Sequence, residues 1–295
     1  MESTILSITF NINRTYAALC TLTQRGLRIE QIDAISEEID IFNDDVLAGE
    51  GLALLHELLF TLKMPPSAIH LALPPEAMLV QHIPSMPGAP PDEVRDMLSL
   101  EIMQNAPDLD LDDYDAALYP MNPKLDASEM TLAVMTEQSV LHRISKMIGA
   151  FGTPVVQVMP RQFATHSAML YSHPELRKKS VVVFGIKGRT IETSVVHQSQ
   201  LAYYNATPVA NAGAISEMCD GEIEKVLSSY LPYIDAAYFY GDSLTREVLS
   251  AVSSRISGVI STVERLNPFR LSYSESLTQR EREFCSRMAH AYAPC

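Results

Sequence analysis

The chain has 295 residues, 47% hydrophobic and 20% charged, the balance of a globular protein with room for two or more cores. Its 36 acidic against 22 basic residues give a net charge of −14. That field repels phosphate backbones and anionic head groups, which argues against nucleic-acid or direct membrane binding.

The amino-terminal MESTILSITF has no basic region ahead of a long apolar stretch, and no run approaches the roughly 20 apolar residues of a membrane span. Cys20, Cys219, Cys285 and Cys295 are scattered without metal-ligand spacing, which fits a reducing compartment. A cytoplasmic protein with no zinc site is expected.

Residues 4–36 read as three strands. Ile5-Leu6 and Ile8 lead the first, Tyr16 to Leu22 form the second and Leu27 to Ile35 the third, with turns at Asn11-Ile12-Asn13 and Gln24-Arg25-Gly26. Leu52, Leu55, Leu58, Leu59 and Leu62 recur at helical spacing and predict a helix over about 46–63. Ile69 to Leu73 is a short strand stopped by Pro74-Pro75.

A segment of different character follows. After a strand at Leu79 to Ile83 comes the Pro- and Gly-rich loop Pro84 to Pro91. Pro90-Pro91 then opens a helix with Val94, Met97, Leu98 and Ile102 on its apolar face, ended by Pro107. Beyond the acidic stretch Asp108 to Asp115, strands are expected at Tyr114 to Leu118 and Met130 to Met135, and a helix at Glu137 to Phe151. Pro154 to Val158 returns to strand and Arg161 to Tyr171 to helix. Asp108, Asp110 and Asp112 begin like a calcium loop. Asp113 and Tyr119 stand where an EF-hand needs Gly and Glu, so a solvated turn is the better reading.

The first order of elements then returns. Strands at Val181 to Phe184, Ile191 to Val196 and Leu201 to Tyr204 precede a helix over about 213–230 and the strand Ala236 to Tyr240. A helix over about 243–256 and a last strand at Val259-Ile260 close the pattern. No residue-level repeat accompanies it, but the repeated order predicts a duplicated α/β architecture with a small α+β insertion.

That arrangement resembles the actin-like superfamily, in its branch with FtsA and PilM. Leu71-Ala72-Leu73-Pro74 resembles the strand that leads into the inserted subdomain of that branch. Gln81-His82-Ile83-Pro84, the helix Asp92 to Asn105 and Ala106-Pro107 resemble its strand, proline-ended loop and helix. Asp113-Tyr114 and Leu266-Asn267-Pro268-Phe269 match two further short motifs. The resemblance implies a ribonuclease H-like duplicated fold: a first lobe at 1–76 and 153–176, an inserted subdomain at 77–152, and a second lobe at 177–295. One helix between Tyr204 and Ala236 implies that the second lobe is shortened.

Actin-like ATPases hold phosphates in two hairpin loops of the form Asp-x-Gly-x-x-(x)-Thr/Ser. By this resemblance Thr9 takes the Asp place and Asn11 the Gly place of the first loop. In the second, Phe184 replaces the Asp, while Gly185, Lys187, Gly188 and Thr190 follow; Gly241-Asp242 stands for the adenosine-side Gly-Gly. Neither loop supplies a carboxylate for magnesium, so phosphoryl transfer lacks its metal-positioning groups. Lys187 and Arg189 leave metal-free ATP binding open. The alternative is a tight hairpin in which Gly185 and Gly188 serve the turn.

For function, the resemblance implies a non-catalytic cytoplasmic scaffold of a type IV pilus-like platform, reaching the inner membrane through a partner. It would bind the amino-terminal tail of a PilN-like membrane protein, in a groove expected around Met78, Val80, Leu98 and Ile102, and connect to motor ATPases. Two alternatives remain: an actin-like ATPase or kinase that binds magnesium-ATP, and a cytoplasmic component of a type II secretion platform. An FtsA-like anchor fits less well, because Leu271 to Ala293 carries Glu275, Glu281 and Glu283.

Overall fold

Alternating apolar residues at the amino terminus form an antiparallel meander of β1 (Ser3–Asn11), β2 (Arg14–Thr23) and β3 (Gly26–Ile35). The computed structural model describes residues 3–11, 14–23, 26–35, 37, 39–43, 49–85, 88–124, 130–149, 152–188, 190–267, 270 and 277–282. Helix α1 (Glu50–Phe60) leads to β4 (Ala68–Leu73), which pairs parallel to β1. The edge strand β8 (Val155–Pro160) completes a five-stranded sheet of order β3-β2-β1-β4-β8. The leucines of α1 pack on Leu6, Ile8, Ile69 and Leu71 to form the core of this first lobe.

Between β4 and β8 the chain builds β5 (Met78–Pro84), α2 (Pro91–Asn105), β6 (Tyr114–Pro120), β7 (Met130–Glu137) and α3 (Gln138–Gly149). The strands form an antiparallel sheet of order β5-β7-β6. Its two faces have different partners. Leu98 and Ile102 of α2 bury against Ile83, Ala133 and Met135 on one face. Helix α3 instead inserts Val140, Ile144, Met147 and Ile148 into the first-lobe core. In packing it therefore belongs with the first sheet, not with the three-stranded one to which its position in the sequence assigns it.

Helix α4 (Arg161–Ser172) carries the chain into the second lobe. There β9 (Ser180–Lys187), β10 (Thr190–His197) and β11 (Gln200–Pro208) repeat the meander. Helix α5 (Ile215–Ser229), β12 (Ala236–Tyr240), α6 (Arg246–Ile256) and β13 (Thr262–Arg265) complete a sheet of order β11-β10-β9-β12-β13. Between β11 and β12 the only α-helix among the described residues is α5.

The final strand is displaced from the expected Val259-Ile260. Those residues close a turn in which both amides donate to the Ile256 carbonyl, and Ile260 plugs the core while Val259 faces solvent. Backbone donors spent on a helix-terminal turn cannot enter a ladder, so pairing with β12 begins at Thr262. Pro268, Phe269 and most of Leu271 to Ala293 lie outside the described residues, as do Arg189, Cys285 and Cys295.

One apolar cluster joins all three units. It combines Ala72 of the first lobe, Leu132 and Val134 of the small sheet, Phe163, Ala164 and Ala168 of α4, and Tyr204 of the second lobe. The Phe163 ring meets Tyr119 edge-on at 4.7 Å and Tyr204 at 5.3 Å. Past β6, the Asn122 amide donates to Leu201 O at 2.8 Å and that of Lys124 to Tyr230 O at 2.7 Å. The small sheet is thus docked on both lobes. Phe163→Ala is expected to cost about 3–5 kcal/mol of stability, measured by urea unfolding, because it empties the centre of this cluster.

Candidate functional site: an inter-lobe cleft and a subdomain groove

The two hairpins implied to hold phosphates, β1–β2 and β9–β10, face one another across the amino-terminal end of α4. What lies between them is an ion pair. Arg161 Nε donates to Glu192 Oε2 at 2.7 Å, and Arg161 Nη1 donates to Asn11 Oδ1 at 2.6 Å. The side chains of Arg161 and Glu192 are 4% and 0% exposed, so the pair is shielded from solvent. One guanidinium therefore ties the first-lobe hairpin to the second-lobe sheet.

Three further groups complete this arrangement. Lys187 Nζ lies 3.6 Å from Glu192 Oε2 and 5.1 Å from the Tyr240 ring centroid, buried with no hydrogen-bond partner among the described residues. The Tyr204 hydroxyl donates to Glu192 Oε1 at 3.4 Å. Burial alone would raise the Glu192 carboxyl, but Arg161 and then Lys187 outweigh it and hold it below its ordinary value. Burial, reinforced by the Arg161 charge, pushes the Lys187 amine well below its own.

Each sequence-implied nucleotide residue has a defined place here. Thr9 is buried in β1, opposite Tyr16 and Ala72. Asn11 is the first-lobe end of the Arg161 bridge. Phe184 is fully buried and stacks on Phe239 at 4.9 Å, deep in the second-lobe core. Thr190 opens β10 opposite Lys187, and Asp242 is exposed beside Ser243.

The glycines split between two causes. Gly188 takes φ +54° in the hairpin turn, as expected. Gly185 does not serve the turn. It lies within β9, where an added Cβ would stand 2.7 Å from the Tyr240 hydroxyl and 2.9 Å from Gln162 Oε1. Gly241 takes φ +119°, and a Cβ there would overlap the Ile186 carbonyl.

Arg161, Gln162, Glu192, Tyr204 and Tyr240 were not singled out by the motifs. The legible signal was a glutamate at mid-strand in Ile191-Glu192-Thr193-Ser194-Val195, where burial obliges a cationic partner. Beside this pair, Gln162 Nε2 donates to Val183 O at 3.0 Å and Ser194 Oγ at 2.6 Å, and accepts the Tyr240 hydroxyl at its Oε1. His166 Nε2 meets the same Ser194 Oγ. His173 lies past the end of α4, where its Nε2 meets the Asn267 carbonyl, so the two histidines do not share a helix face. Among the described residues no group of three or more His, Cys, Asp or Glu is placed to hold a metal.

A second concavity lies on the other side of α4's amino terminus. Its volume is about 140 Å³, and its apolar wall is Met78, Val134, Leu141, Val158, Met159 and Pro160. Ala116, Ala117 and Tyr119 of β6 form the rim. Among the described residues β6 pairs with β7 alone, which leaves its other edge open, and Asp115 to Leu118 are exposed. Of the expected groove residues, Met78 lines this space and Val80 packs on the cluster around Phe163. Leu98 and Ile102 are buried under α2 on the opposite face of the small sheet.

In structure, this chain is similar to the PilM of a "PilM-PilN type IV pilus biogenesis complex", with a TM-score of 0.72 at 11% identity over 97% of this chain and 96% of that one. The chain has the actin-like fold. A second actin-like neighbour, a protein of unknown function from Bacteroides thetaiotaomicron, gives TM 0.54 at 10% identity over 90% and 91% of the two chains. The cytoplasmic domain of EpsL, an inner-membrane component of the Vibrio cholerae type II secretion system, gives TM 0.50 at 11% identity over 97% and 94%. No protein-family model and no curated protein sequence matches. No described helix of this actin-like chain is long and apolar enough to cross a membrane.

Burial pushes the His166 imidazole down to about 4. Below its ordinary value the unfolded chain binds a proton that the folded chain refuses, so stability falls as pH falls toward 4. Urea unfolding at pH 7 and pH 5 is expected to differ by about 2 kcal/mol on this account, a difference that His166→Gln removes.

Proposed function

We propose that this protein is a non-catalytic scaffold of a type IV pilus-like assembly platform. It binds the amino-terminal tail of a PilN-like inner-membrane protein from the cytoplasmic side, reaches the membrane through that partner, and connects it to motor ATPases. The observation that carries this reading is the apolar groove beside the open edge of β6. An extended tail gains main-chain hydrogen bonds by adding to that edge and places alternate side chains toward Met78, Val158 and Met159. At a minimum of roughly 10–15 Å³ for one water, the groove has room for one or two large apolar side chains.

The likeness to a PilM seen with PilN supports the same choice of partner. The likeness to EpsL favours a second reading, the corresponding position in a type II secretion platform. Both readings use the protein as a holder of a membrane partner's cytoplasmic segment, and neither requires turnover. The absence of a carboxylate at Thr9 and Phe184, with Arg161 and Glu192 in the space between the hairpins, supports a pseudo-ATPase.

The test is calorimetry with a synthetic peptide of the amino-terminal tail of a PilN-like inner-membrane protein. Micromolar binding is expected, weakened at least tenfold by Ala117→Arg on the groove rim and unchanged by Leu100→Ser on the exposed face of α2. No heat with the pilus-type or the secretion-type tail peptide would end this reading.

A further inference from the structure

The groove and the ion pair are neighbours in the chain and are joined twice in space. Along the backbone, Met159 and Pro160 line the groove, Pro160 is the amino-terminal cap of α4, and Arg161 is its first residue. Arg161 is gripped by Glu192 at 2.7 Å and by Asn11 at 2.6 Å, which fixes the direction in which β8 ends. Among the described residues β8 is an edge strand that pairs with β4 alone.

The second connection runs through side chains. Glu192 Oε1 accepts from the Tyr204 hydroxyl, Tyr204 meets Phe163 edge-on at 5.3 Å, and Phe163 meets Tyr119 at 4.7 Å. Tyr119 belongs to the opposite wall of the same groove. Glu192 thus stands where two arms meet. One arm, Arg161–Pro160–Met159, ends on the β8 wall. The other, Tyr204–Phe163–Tyr119, ends on the β6 wall.

We infer that Glu192 is a positioning residue for the tail groove: its two carboxylate oxygens set the separation of the two groove walls. This rests on the tail-binding reading given above. It adds that the partner groove and the inter-lobe cleft form one coupled unit. A carboxylate that holds a cation on one oxygen and a hydroxyl on the other fixes both directions, whereas a primary amide at the same place loses the charge that retains Arg161. Thermodynamic linkage then requires that a tail seated between the walls also tightens the Arg161–Glu192–Asn11 bridge.

The test uses Glu192→Gln in the full chain, with Val252→Ala as a control. Val252 is fully buried in the second-lobe core, so its loss destabilises without touching either arm. Two readouts are taken: tail-peptide affinity by calorimetry, and amide hydrogen exchange of Ala116 to Tyr119 in the free protein. Glu192→Gln is expected to weaken the tail about tenfold, within the usual range for coupled sites, and to speed exchange in β6 by a similar factor. The control leaves both unchanged while lowering the melting temperature.

If Glu192→Gln does not fold, Arg161→Met/Lys187→Met/Glu192→Leu replaces all three buried charges with apolar groups, so that no ion is left unpaired in the core. The same two effects are then expected. Wild-type affinity and wild-type β6 exchange in either variant overturns the inference, as does an equal effect of Val252→Ala. If the unmodified protein binds no tail peptide, the function reading fails on its own, and exchange in β6 still decides whether Glu192 sets the groove.

Discussion

A guanidinium and a carboxylate held out of water between two sheets form the constraint on which this molecule is built. Desolvating both ions costs several kcal/mol each, and their attraction offsets this only when the geometry is tight and the remaining lone pairs are used. Here they are used. Glu192 takes Arg161 on one oxygen and Tyr204 on the other, and Arg161 spends a second donor on Asn11. The three partners come from α4, β11 and the first hairpin, so the pair is satisfied only when the two lobes and the connecting helix are in register. Such a pair contributes more to uniqueness of arrangement than to net stability.

Its position has a functional consequence. It lies between the two hairpins whose counterparts in actin-like ATPases embrace phosphates, and the side chains of this protein supply the opposite charges that bridge them. Phe184, which the resemblance implies at the place of a metal-positioning carboxylate, is stacked on Phe239. The glycines at 185 and 241 make way for Tyr240 and for the Ile186 carbonyl. The concavity beside β6, lined by Met159 and Pro160 just ahead of Arg161, is the place proposed for a partner.

Much of the fold was legible because its elements follow local rules. Leu6, Ile8 and Phe10 alternate along β1, β9 is a continuous apolar run, α1 repeats leucine at helical spacing, and Pro90-Pro91 starts α2 where proline costs no hydrogen bond. The final strand was misplaced because Val259-Ile260 reads as a β-prone pair, while the helix-terminal turn from Ile256 claims both amides. The grouping of α3 was hidden for a related reason. Its apolar face is evident in sequence, but nothing local states which of two sheets it covers.

The site was legible only in part. The resemblance singled out Asn11, which accepts from Arg161, Lys187, which lies beside Glu192, and Met78, which lines the concavity beside β6. It gave no hint of Arg161, which opens an ordinary amphipathic helix, and the tight-hairpin reading assigned Gly185 to a turn it does not make. The resemblance placed Leu98 and Ile102 near the groove, whereas they lie on the face that α2 buries on the small sheet. Which side of a sheet a helix covers is a tertiary fact, set by the packing of three units around Phe163.

On the reading proposed here, the internal Arg161–Glu192 pair stands in place of a metal-bound nucleotide between the two hairpins. The most direct measurement is a calorimetric titration of the full chain with ATP, with and without magnesium. The expected result is no magnesium-dependent heat. Magnesium-dependent micromolar binding accompanied by ATP turnover would contradict it.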